Sequence, residues 1–391
     1  MPDPGWVTVE HMRSDTMWVV VFAAGAAAYL SHAVNSQAAS SEEVSNATVM
    51  MSSDETEQSA AATARESDKA WAPSCSEVGL IQVGDSQRPG ALKNFCLDAT
   101  GNLLTCFAGE GGPNTRPGIR VYSPKGALLR TLPLEIKPEA IGVANDGSIF
   151  VAGDGRVLKL DAVGKVLASA ESPVAKMTVT INPETEEMVK QMASQSKRPF
   201  EEELALMKTN LERRRADVTG LAVTEQDVFV AVPAPSDFSY RVYRFSQALE
   251  EPKLVVEKLR GCCGQMDIQA HEGKLWIPHN ARHTVESLDR EGKELSKFGK
   301  AGRVKAADFG GCCEPKNLRV LPNGDILAAE SGPPTCIKRF SPSGKFQQVV
   351  AVVKDAKGDC VRVTVEMSPD GRRYYMLDTT RDAIRIFAAK S

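Results

Sequence analysis

The chain has 391 residues, 42% hydrophobic and 25% charged, a globular composition with enough apolar surface for a core. Its 47 Lys and Arg nearly balance 50 Asp and Glu, for a formal charge of −3; this offers no positive field to a phosphate backbone and argues against nucleic-acid binding. Nine cysteines is an odd number, so pairing within one chain leaves at least one thiol over.

Residues 1–34 contain an apolar run from Met17 to Leu30, within a stretch from Thr16 to Ser41 that lacks Asp, Glu, Lys and Arg. The run is short of the about 20 residues of a spanning helix. It fits a signal peptide, with Ser31-His32-Ala33 and Ser36-Gln37-Ala38 as small-residue cleavage sites, or a retained N-terminal membrane anchor. Both readings place the protein in the cell envelope or outside the cell. Residues 35–76, rich in Ser, Ala and Glu, cannot bury enough apolar area to offset ordering and are expected to be a disordered linker.

From residue 77 onward one phrase recurs: strand, tight turn, strand, second turn. Examples are AIGVANDGSIFVAG at 140–153 and NLRVLPNGDILAAE at 317–330. Turn glycines Gly101, Gly147, Gly273, Gly324 and Gly371 supply the positive φ such hairpins need. Repeats of about 40–50 residues with four strands each predict an all-β fold, a six-bladed β-propeller over 77–391. One interval is longer. Residues 182–215 lack strand alternation, open on Asn182-Pro183 and place Phe200, Leu204, Met207 and Leu211 at helical spacing. They predict an inserted helical hairpin, either packed locally or serving as a docking arm for a partner.

These repeats resemble the NHL-repeat-like six-bladed β-propeller family over residues 77–391. That family includes scaffolds, ligand binders and a few enzymes, so the resemblance implies the architecture and leaves the activity open.

The repeat register gives the cysteines addresses. Cys262-Cys263, Cys312-Cys313 and Cys360 precede the first strands of blades four, five and six, and are expected along one rim. Cys336 opens the third strand of blade five after a loop on the same face. Cys96 and Cys106 flank Gly101 and are candidates for a disulfide across a hairpin; Cys75 precedes the repeats. Export favours structural disulfides. The competing reading is a transition-metal or redox site, with His279 and His283 of HNARH joining the thiols. A third reading uses oxygen ligands. Gluconolactonase-like propellers place a divalent metal at the channel mouth, and that likeness implies calcium on a partial set of Asn94, Asp267, Glu314, Asn317 and Asp359, acting as a Lewis acid. Arg116, in the Gly-rich loop 109–118, could meet an anion. GxSxG, HExxH, Walker and CxxCH motifs are absent from the sequence. The leading expectation is a non-catalytic platform that binds a protein or small-molecule ligand on the cysteine-bearing face. A metal or redox propeller comes second and a metal-dependent lactonase-like hydrolase third.

Overall fold

The computed structural model describes residues 71–109, 116–261, 264–356 and 360–390. The apolar segment 1–34 and most of the linker lie outside them, as do Cys262, Cys263 and Asp359. Among the described residues, no helix is long and apolar enough to cross a membrane.

Among the described residues, twenty-four strands form six four-stranded antiparallel sheets, the blades of a β-propeller. Alternating apolar residues make each segment a strand, and a recurrent Asp-x-x-Gly turn reverses it. Asp98, Asp161 and Asp289 each accept backbone N–H bonds from the residues two and four positions on. The glycine between those donors takes a left-handed φ, 83° at Gly101 and 92° at Gly164, which a Cβ would oppose.

The first strands of successive blades contact one another around the centre: Leu92–Leu97, Ala140–Val143, Gly220–Val223, Gln269–His271, Asn317–Val320 and Val365–Met367. Each neighbouring pair of blades shares an apolar cluster. Leu92 and Phe107 meet Tyr375 and Ile384 between blades one and six, and Trp276 meets Phe309 and Phe340 between four and five. The ring is therefore held by wedges between blades rather than by one central core.

Blade six shows what the repeat phrase could not. Its first three strands, Val365–Met367, Arg373–Asp378 and Ala383–Ala389, come from the end of the chain. Its fourth is Cys75–Gln82, antiparallel to Ala383–Ala389 with Cys75 opposite Ala389. Cys75 thus opens the strand that closes the ring.

Residues Asn182–Met207 belong to a compact unit separate from the propeller. Helix α1 (Pro183–Ser196) starts where Asn182 Oδ1 accepts the Thr185 N–H at 2.7 Å, with a proline in its first turn, and ends at Lys197 in a left-handed conformation. Helix α2 (Phe200–Arg214) carries Glu201, Glu202 and Glu203 in its first turn and Arg213 and Arg214 in its last, complementing the helix dipole. Ser196 donates to Glu203 at 2.6 Å and ties the two helices into the expected hairpin.

Candidate functional site: a thiol cluster where blades five and six begin

The segments leading into the inner strands bring polar residues together in the interior. Asn317 Nδ2 donates to Asp267 Oδ2 at 2.6 Å while its Oδ1 accepts the Val365 N–H at 2.8 Å. Thr364 donates to Asn94 Oδ1 at 2.8 Å, and Gln265 donates to the Val363 carbonyl. These bonds join blades four, five, six and one in series. Asn94, Asp267 and Asn317 are buried and engaged as inter-blade ties. Glu314 turns elsewhere: its Oε1 accepts the N–H groups of Ser331 and Gly332 and the Ser331 hydroxyl. Of the oxygen set that the gluconolactonase likeness implies, Asn94, Asp267 and Asn317 tie blades together and Glu314 anchors a loop, while Asp359 lies outside the described residues. Among the described residues, the His, Cys, Asp and Glu side chains close enough in threes to share an ion are Cys312, Cys313 and Cys360.

Burial pushes the Asp267 carboxyl up to about 7, against the hydrogen bond from Gln269. An unfolded aspartate releases its proton near about 3.9. Between those values the native state holds a proton that the unfolded state has lost, so this contribution to stability is full at low pH and lost as pH rises through 7. Melting temperatures followed from pH 4 to pH 8 should show this decline, and Asp267→Asn should flatten it. An unchanged slope in the variant would assign the decline to other groups.

The thiols behave differently. Cys312 Sγ lies 3.1 Å from Cys313 Sγ and 3.0 Å from Cys360 Sγ, and the third separation is 3.9 Å. All exceed the about 2.05 Å of a disulfide, so the trio is not cross-linked among itself. Cys312 is exposed, Cys360 half-buried and Cys313 buried. The Lys316 ammonium, wholly buried, reaches Cys313 Sγ at 2.8 Å.

The loop carrying Cys312 and Cys313 is anchored at both ends. Glu330 Oε2 accepts the Gly310 N–H at 2.7 Å, and Glu314 pins the far side through Ser331 and Gly332. Glu330 in turn pairs with the fully buried Lys338, which also donates to the Asp308 carbonyl at 2.6 Å. Gly311 within the loop takes φ 66°, with Glu314 and Gly332 crowding the position a Cβ would fill.

The two histidines of HNARH part company. His279 Nε2 accepts the Arg260 N–H at 3.0 Å, which leaves Nδ1–H to donate to Glu286 at 3.0 Å; both nitrogens are occupied. His283, left-handed after the short 3-10 turn Asn280–Arg282, lies near enough to Cys312 to feel its charge. Its buried Nδ1 has no hydrogen-bond partner among the described residues, and burial lowers the pKa of its ring. Of the remaining candidates, Cys336 is fully buried and burial raises its thiol pKa; it stands outside the trio. Arg116 is exposed at the edge of its loop. Cys96 pairs in register with Leu104 and Cys106 with Asn94, so these thiols are offset diagonally by two positions and remain free and buried. The symmetry about Gly101 was apparent only, because the hairpin is centred one residue earlier.

The fold and the site define a six-bladed β-propeller with a thiol cluster at the loops that start two adjacent blades. No protein-family model matches the chain, and no curated protein does. Among solved structures it is similar to a structural genomics protein of unknown function from Bacteroides thetaiotaomicron VPI-5482, at 13% identity and a TM-score of 0.51, covering 81% of this chain and 76% of that one. It is also similar to XC5397 of Xanthomonas campestris, described as a gluconolactonase, at 10% identity and a TM-score of 0.46, covering 81% and 99%. The Pan2 WD40 domain of Neurospora crassa matches at 9% identity and 0.47, covering 82% and 98%. These likenesses concern the fold alone.

Proposed function

We propose that the protein is a non-catalytic binding propeller, exported or membrane-tethered, whose thiol-bearing face holds a soft metal ion. The observation that carries the reading is the trio Cys312, Cys313 and Cys360, with sulfurs within 3.9 Å of one another beside the Lys316 ammonium. Thiolates at this spacing select soft or borderline cations, Cu(I) and Zn(II), over Ca(II) or Mg(II). The group that could share one ion is the three thiols alone among the described residues, so a fourth position would be open to water or to a ligand. Such a site would tie the loops of blades five and six into one rigid binding surface.

The test is elemental analysis of reduced protein after equilibration with zinc or with Cu(I). About one equivalent per chain is expected, with at least about a hundredfold loss of affinity in Cys312→Ser and Cys360→Ser. Circular dichroism would verify that the variants fold. Wild-type protein that retains no stoichiometric metal would overturn the reading, as would variants that bind like wild type.

A further inference from the structure

A second place on the propeller has the makings of a binding site and uses none of the cysteines. A cavity of about 320 Å³ is lined by Leu92 and Lys93 of blade one, Glu139 before blade two, Asp217 and Thr219 before blade three, and Arg362 before blade six. Its size falls at the small end of ligand pockets, about 300–1,000 Å³.

The charges in this cavity are sorted by blade. Lys93 and Arg362 come from blades one and six, which are neighbours; Glu139 and Asp217 come from blades two and three, the next two around the ring. All four side chains are half-buried. Arg362 is braced by backbone carbonyls of three blades, those of Lys93 at 3.4 Å, Glu139 at 3.3 Å and Gly264 at 3.5 Å. One Glu139 oxygen accepts the Val218 N–H at 2.7 Å, leaving the other for a ligand. The four heads act on one another through space, and none forms a direct ion pair with a described residue. Beyond the lining, Asp382 and Lys137 act on Lys93, Asp154 on Glu139 and Arg214 on Asp217.

Two cations and two carboxylates thus line one half-buried cavity without a direct ion pair to a described residue, and burial of such groups is costly unless a partner satisfies them. A ligand that bridges them satisfies both poles at once, whereas a simple anion or cation would leave one pole facing a like charge. We propose that this cavity binds a small zwitterion, an ammonium carboxylate of the α-amino acid class, with its carboxylate toward Arg362 and Lys93 and its ammonium toward Glu139 and Asp217. Thr219 and Thr379 also line the cavity.

Isothermal titration calorimetry on the full chain tests this, with glycine, L-alanine, L-leucine, L-glutamate and L-lysine as probes and with sodium acetate and methylammonium chloride as single-charge controls. Saturable binding of at least one amino acid is expected, with each control at least about tenfold weaker. Lys93→Gln and Asp217→Asn should each weaken that amino acid by at least about tenfold, acting on opposite ends of it. Arg362 is left intact because its bonds to three blades support the fold. Thermal melts of both variants would establish that they are folded. No saturable binding by any of the amino acids overturns the proposal. Binding of acetate or methylammonium as tightly as the amino acid overturns it too, as do folded variants with wild-type affinity. The thiol site is untouched by either variant, so metal content serves as an independent control.

Discussion

A chain beginning at residue 83 is expected to lose its cooperative melt, while a chain beginning at residue 71 keeps it. The strand Cys75–Gln82 supplies the outer edge of blade six through seven backbone pairings with Ala383–Ala389. It also buries Ile81 against the cluster shared by blades six and one and places Glu77 2.8 Å from Arg385. Returning Ile81 to water alone costs about 1.5–3 kcal/mol. Exposing the edge of Ala383–Ala389 and the Arg385 guanidinium adds to that. The sum is large against the about 5–15 kcal/mol that usually separates folded from unfolded chains. Differential scanning calorimetry of the two truncations decides the matter. Equal melting temperatures would mean that three strands suffice for the last blade.

Glu330→Leu is expected to have the second large effect, and it links stability to the thiol site. Lys338 is wholly buried, and Glu330 is its charge partner. Breaking a buried pair by removing one member costs about 3–5 kcal/mol, because the remaining charge has no water to turn to. The same substitution deletes the acceptor for the Gly310 N–H, which holds the start of the loop that carries Cys312 and Cys313. The variant should melt about 6–20 °C below wild type, at the about 2–4 °C per kcal/mol of domains of about 150–250 residues, and toward the lower end in this larger one. It should also bind zinc more weakly, even at temperatures where circular dichroism shows it folded. The double change Glu330→Leu with Lys338→Met should recover much of the stability but not the anchoring of Gly310. If both properties return together in the double variant, the loop anchor has no separate role.

The blades were legible in the sequence because their signals are local. Alternation and an Asp-x-x-Gly turn lie within a dozen residues, as at Asp98–Gly101 and Asp289–Gly292. The closing strand was not, because nothing in residues 75–82 marks them as the fourth strand of a blade whose other three lie some 300 positions away. The cysteine addresses carried over in part. Register alone placed Cys312, Cys313 and Cys360 at the same point of successive repeats, and the structure brings these three together. Register could not separate His279 from His283, since the pairing of His279 with Arg260 and Glu286 is set by packing between strands. Nor could it find Glu330, Lys338 or Arg362, whose partners are chosen by packing between strands and blades. The Lys-Asn pairs at 93–94 and 316–317 were a usable signal. They recur at one repeat position, and both lysines prove to be placed where a charge matters, one at the cavity and one on a sulfur.

The ring closure also bears on the order of events during synthesis. Contacts between segments far apart in sequence form slowly, since a long loop must be closed before any of them stabilises the chain. Until Ala383–Ala389 meets Cys75–Gln82, five finished blades present an unpaired strand edge on either side of the gap, the kind of edge that recruits a second chain. The thiol trio spans the last of these blades to be made, so its third sulfur, Cys360, arrives only as the circle is about to shut. A metal ion bound there would join blade five to blade six before the final strand pairs, and so act as a latch on an unfinished ring.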